Sequence, residues 1–188
     1  MKLDELFLDT LKDIYFAERQ ILKALPKMTK AVQEPKLKEG FTAHREETQG
    51  QVERLQQVFE ILGKRAQGNT CETIQGIIEE CDELLEEATE PSTVRDAGLI
   101  ACGQAVEHYE MARYGTLIAW AGVLDKKDVV ALLQANLDQE KKADTLLTQI
   151  AGSVNPPNSR GRSHARCRWR ICVLLSTGYT FSDSPRAR

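Results

Sequence analysis

The chain has 188 residues, of which 41% are hydrophobic and 28% charged, with a net charge of −3. That is the mix of an ordinary folded domain, long enough to bury a real core. No apolar run reaches the roughly 18 residues that would span a bilayer. The start, "MKLDELFLDTLKDIYF", carries acids among its apolar residues, unlike a secretory signal. A cytosolic protein without a membrane part is expected. Five cysteines, an odd number with no C-x-x-C pair, argue against a disulfide framework or a zinc ribbon and for free thiols.

The residues before about 155 read as helix throughout, rich in Leu, Ala, Glu, Lys and Gln between helix-breaking signals. A first helix is expected over residues 4–32, with Pro26 as a possible kink because it removes one backbone hydrogen bond. "QEPK" marks a corner, and a second helix follows to residue 62, with Gly63 as its stop. "GNTCET" restarts a shorter helix through "IIEECDELLEEA". "TEPST" breaks that helix, and Pro91 and Ser92 suit the start of a long fourth one to residue 124. "DKKD" turns the chain into a last helix ending near residue 151. Two hairpins of long helices, joined by one long connection bearing a short extra helix, predict an all-α, ferritin-like four-helix bundle over residues 1–155.

Residues 156–188 depart from this pattern. They hold seven arginines, no lysine and one acid, a charge of +6 against −9 for the rest. A basic tail can bind nucleic acid, but the abrupt change of composition favours a non-native stretch, such as out-of-frame translation. No function is assigned to it, and the acidic body argues against nucleic acid as a partner.

The seams of the four long helices carry the chemistry. Apolar residues of a packed helix recur at alternating steps of three and four. The fourth helix follows that rule through Ile100, Gly103, Glu107, Glu110, Tyr114, Leu117, Ala121 and Leu124. The fifth does so through Val130, Leu133, Leu137, Glu140, Asp144, Leu147 and Ala151, and the first through Phe7, Leu11, Ile14, Glu18, Ile21, Leu25 and Met28. The second runs Leu37, Phe41, His44, Thr48, Gln51, Leu55, Val58 and Leu62, with Glu47 beside the seam. Each seam is polar at mid-length and apolar at both ends. Glu110 and Glu140 lie at nearly equal distances from the last corner, as do Glu107 and Asp144, so an antiparallel hairpin brings all four to one level. In the first hairpin Glu18 and Glu47 are offset by about 7 Å at 1.5 Å per residue, and Gln51 matches Glu18 better. Clustered buried carboxylates must either share protons or be neutralised by cations. Carboxylate oxygens with imidazole suit iron and manganese. The candidate ligands are Glu18, His44, Glu47, Glu107, Glu110, Glu140 and Asp144. His108, one residue off the seam, reads as a hydrogen-bonded flank residue, and Tyr15, Tyr109 and Tyr114 read as packing residues.

"DIYFAERQ", "AHREETQGQVERLQQVFE", "CETIQGIIEE", "VEHYEMARYGTL" and "EKKADTLLTQIA" resemble the YciE/YciF family of bacterial ferritin-like stress proteins over residues 3–152. The resemblance implies a ferritin-like bundle with an extra helix, a homodimer, and a role in stress response, without specifying a reaction. The ferritin-like ligand pattern has Glu-x-x-His on the second and last bundle helices. Here Gly50 follows Glu47 by three and Ala143 follows Glu140 by three, so neither motif is complete. Glu18, Glu47, Glu140 and one of Glu107 and Glu110 match the pattern by position, while His44 and Asp144 come from the seams alone. The expectation is a stress protein with two iron or manganese ions and a small oxidant or Fe(II) as substrate. The alternative is a non-catalytic helical dimer or scaffold without metal.

Overall fold

Five α-helices fill most of residues 1–154, the part of the chain described by the computed structural model: α1 (Leu3–Ala31), α2 (Pro35–Ile61), α3 (Glu72–Glu87), α4 (Thr93–Val123) and α5 (Lys127–Val154). The arginine-rich segment 156–188 lies outside the described residues. Local signals place the helix ends. Pro35 opens α2 at its first position, where no backbone N–H is needed. Gly63 follows α2 with φ +64°, the left-handed stop that glycine takes without strain. The Ser92 side chain accepts from the Arg95 N–H at 3.2 Å and caps α4. α1 continues through Pro26 without interruption, and α5 runs three residues beyond its expected end.

The long helices form a ring in the order α1, α2, α5, α4, each packed on its two neighbours, and α3 lies outside against α4 and α1. The stretch from the end of α2 to the start of α4 is therefore one long crossover, the predicted connectivity. Its return brings the first turn of α4 to the corner between α1 and α2. There the buried Asp96 carboxylate accepts from the backbone N–H groups of Gln33 at 3.1 Å and Glu34 at 2.8 Å. Arg95 donates to the Ala31 carbonyl at the end of α1 and to the Thr89 carbonyl at 2.9 Å. α3 fits closely because Gly98 of α4 has no side chain: a Cβ there would stand 2.6 Å from Leu84 Cδ2.

The interior follows the predicted seams in α1, α2 and α4, all of whose named apolar members are buried or half-buried. In α5 the buried line is Val129, Leu133, Asn136, Glu140, Leu147, Ile150 and Val154, with Leu137 also buried. The expected stripe ran one residue later at its ends. Adjacent apolar pairs, Val129 with Val130 and Ile150 with Ala151, fit either stripe, and packing chose the earlier one. Asp144 is consequently half-buried at the α4–α5 edge rather than in the seam. Among the described residues Cys71, Cys81 and Cys102 are free, buried thiols.

Asp96 should hold the closed end of the bundle together. Asp96→Ala removes two hydrogen bonds to an ionised acceptor, and the expected loss is about 2–3 kcal/mol. Urea unfolding should show a lower midpoint at unchanged slope.

Candidate metal centre

Midway along the ring, side chains from all four long helices meet. Glu18 of α1 and Glu140 of α5 are 0% exposed, Glu110 and Glu107 of α4 are 1% and 2%, and His44 of α2 is 7%. One ligand atom from each of His44, Glu107, Glu110 and Glu140 lies within 4.8 Å of those of the other three. His44 Nε2 stands 3.4 Å from Glu107 Oε1, without the alignment of a hydrogen bond. Glu18 faces Glu110, and Glu140 faces Glu107, as two pairs of carboxyl groups.

Few donors serve this cluster. Gln51 Nε2 donates to Glu140 Oε1 at 2.5 Å. The Tyr114 hydroxyl donates to Glu18 Oε1 and accepts from Asn136 Nδ2 at 2.9 Å. Asn136 Oδ1 in turn accepts from the guanidinium of Arg54, which also donates to Gln139. Glu18 Oε2, Glu107 Oε2, Glu140 Oε2, both oxygens of Glu110 and both ring nitrogens of His44 have no hydrogen-bond partner among the described residues. Two ionised carboxylates offer each other only acceptors, so each pair needs a shared proton or a cation.

The electrostatics agree. Burial drives the Glu107 carboxyl up to about 8, with the charges of Glu18, Asp144 and Glu47 adding to the rise. Glu110 is held well above the usual carboxyl range by burial and then by the charges of Glu18, Glu140 and Glu107. Burial followed by the neighbouring acid does the same to Glu18 and Glu140, and the Arg54 charge relieves both in part. Burial alone lowers His44 to about 4, leaving a neutral imidazole with free lone-pair capacity.

The remaining predicted residues sit at the rim. Glu47 is half-buried, near enough for its charge to raise Glu107 and Glu140. Asp144 Oδ1 accepts from Gln104 Nε2 at 3.1 Å and lies 3.3 Å from His108 Nε2. His108 is 67% exposed, the flank position expected of it. Tyr114 does more than pack, since its hydroxyl fixes one oxygen of Glu18. Asn136 and Arg54 escaped the sequence reading. The first was hidden by the shifted α5 stripe. The second approaches the cluster only through its neighbours Asn136 and Gln139.

Fold and site define a four-helix bundle whose interior holds a cluster of carboxylates with one imidazole. The chain belongs to the family described as Domain of unknown function (DUF892), which matches residues 2–156. Protein YciF of Escherichia coli is 41% identical over 164 residues, covering 87% of this chain and 97% of that one. The crystal structure of the E. coli stress protein YciF superposes with a TM-score of 0.78, covering 82% of this chain and 97% of the other. YcfI of Rhodopseudomonas palustris is 51% identical with a TM-score of 0.77, covering 79% and 94%. A Xanthomonas campestris protein at 21% identity and TM-score 0.65, covering 82% and 94%, shares the fold.

A pH dependence follows for the metal-free protein. A carboxyl whose folded pKa is raised keeps a proton that the unfolded chain has lost, so its stability is complete below about 4.5 and falls as pH rises towards about 8, the folded value for Glu107. His44 acts in the opposite sense: its contribution is present above 6.5 and lost as pH falls through about 4. One imidazole is outweighed by the raised carboxyls. The melting temperature should fall from pH 5 to pH 8, each retained proton contributing about 1.4 kcal/mol per pH unit. Glu107→Gln should flatten the slope, and a wild-type profile that rises over this range would refute a protonated cluster.

Proposed function

We propose that this chain is a ferritin-like stress-response protein whose interior cluster takes up two iron or manganese ions. The observation that carries the reading is the convergence of ligand atoms from His44, Glu107, Glu110 and Glu140 within 4.8 Å of one another, with the buried Glu18 carboxyl beside Glu110. Five side chains with one neutral nitrogen and otherwise carboxylate oxygens form a donor set suited to iron or manganese. Glu18, His44, Glu107, Glu110 and Glu140 would hold the ions. Glu47 stands ready at the rim, and Asp144, already engaged with Gln104 and His108, is the weakest of the candidates. Bound iron or manganese supplies one-electron redox chemistry towards oxygen or peroxide, or oxidation of further Fe(II).

The protein's own part is orientation and proton management. Tyr114 and Gln51 each fix one oxygen of a carboxyl, which leaves the other oxygen of Glu18 and of Glu140 turned into the cluster. Protons shared within the two carboxyl pairs must leave when a cation arrives. Uptake at pH 7 should therefore release roughly two protons, read from the dependence of the calorimetric enthalpy on buffer ionisation. A homodimer is the assembly that belongs to this reading.

A non-catalytic structural role is the second reading. It is favoured by the R. palustris relative, provisionally described as a structural protein, and by the two carboxyl pairs, which shared protons satisfy without metal. Elemental analysis after growth with iron and manganese separates the two readings. About two ions per chain are expected, the complement of a carboxylate-bridged bundle site. The double variant Glu110→Gln, Glu140→Gln should lose at least one. A wild-type protein that stays metal-free after reconstitution would leave the structural role standing.

A further inference from the structure

A narrow cavity runs between α1, α3 and α4 and ends at the cluster. Its floor is formed by His44 and Glu107, its walls include Leu25, Met28 and Val106, and its outer end lies at Ala24, Ile78 and Asp82. The floor and wall residues are buried, whereas the three at the outer end are half-buried. The space open to the centre of a water-sized molecule is about 20 Å³, room for one small molecule. Between the floor and the outer end the lining side chains are apolar except for the Cys81 thiol, a weak hydrogen-bonding group, so away from the floor a water would lack the two to four polar partners that hold buried water. The same walls disfavour an ion. Across the outer end Lys27 Nζ pairs with Asp82 Oδ1 at 2.6 Å, joining α1 to α3 with both side chains about half exposed. Such a pair is worth about 0–1 kcal/mol, so the end opens readily.

We infer that this cavity is a binding chamber for dioxygen on the way to the His44–Glu107 side of the cluster. Dioxygen is small, neutral and apolar, which matches the walls. Hydrogen peroxide has the size but would leave its donors and acceptors unpaired along the same path. The inference rests on the proposed metal centre only for the reaction that awaits dioxygen at the floor. Occupancy of the chamber does not require metal.

The test uses dioxygen itself on the full-length, metal-free protein. Methyl-resolved NMR under oxygen pressure, against the same pressure of nitrogen, reports paramagnetic relaxation at each methyl group. Leu25, Met28 and Val106 should relax severalfold faster than Val52 and Leu137, which are comparably buried and lie away from the cavity, and Ala24→Trp should remove the excess. No excess in the wild-type protein would overturn the inference. So would cross-relaxation from a bound water at those methyls in place of it, which would mark a polar route. Metal content, measured separately, decides the fate of the proposed centre whichever result the chamber gives.

Discussion

The interior of this bundle contains charge that it cannot hold bare. Moving a single carboxylate out of water costs several kcal/mol even after the protein relaxes, and here four carboxyls stand almost wholly buried at one level. Much of the surrounding structure answers to that constraint. The long helices are apolar at both ends, which lets the ends supply the folding energy while the middle stays polar. Tyr114, Gln51, Asn136 and Arg54 line the approaches as donors, and the Arg54 guanidinium acts from the far side of an amide. Even so, the supply of donors falls short of the oxygens present. What remains must come as protons or as cations.

The crossover has a distinct place in this arrangement. α3 contributes Ile74, Cys81 and Leu84 to the core and packs against α4 where Gly98 lets Leu84 approach. It thereby forms one wall of the cavity beside the ligands, between α1 and α4. Among the residues of the cluster, none belongs to α3. α3 thus shapes the space beside the ligands, through Ile78, Cys81 and Asp82, without supplying one itself.

Much of this was legible in the residues alone. Alternating steps of three and four with acids at mid-length placed Glu18, His44, Glu107, Glu110 and Glu140 in the interior, and equal distances from the last corner placed Glu110 level with Glu140. The long connection between the hairpins, with its own helix, fixed the topology. What periodicity could not decide was the choice between two neighbouring stripes in α5, where Val129 and Val130 are interchangeable in pattern but not in packing. That ambiguity concealed Asn136 and put Asp144 too deep. Long-range hydrogen bonds such as Tyr114 with Glu18, 96 positions apart, depend on rotamers that no spacing rule specifies. The same holds for the cavity, which exists because three helices fail to fill a space together.

The cluster is also divided. Glu18 and His44 come from the first hairpin, Glu107, Glu110 and Glu140 from the second, and the two hairpins are continuous only through the crossover. Neither half has a complete donor set. Any cation bound at their meeting would therefore act as a fastener between two halves of the molecule, its affinity and the cohesion of the halves being one thermodynamic quantity seen from two sides. A bundle built in this way would register the supply of metal as mechanical integrity, stiff when loaded and loosened along the central seam when starved.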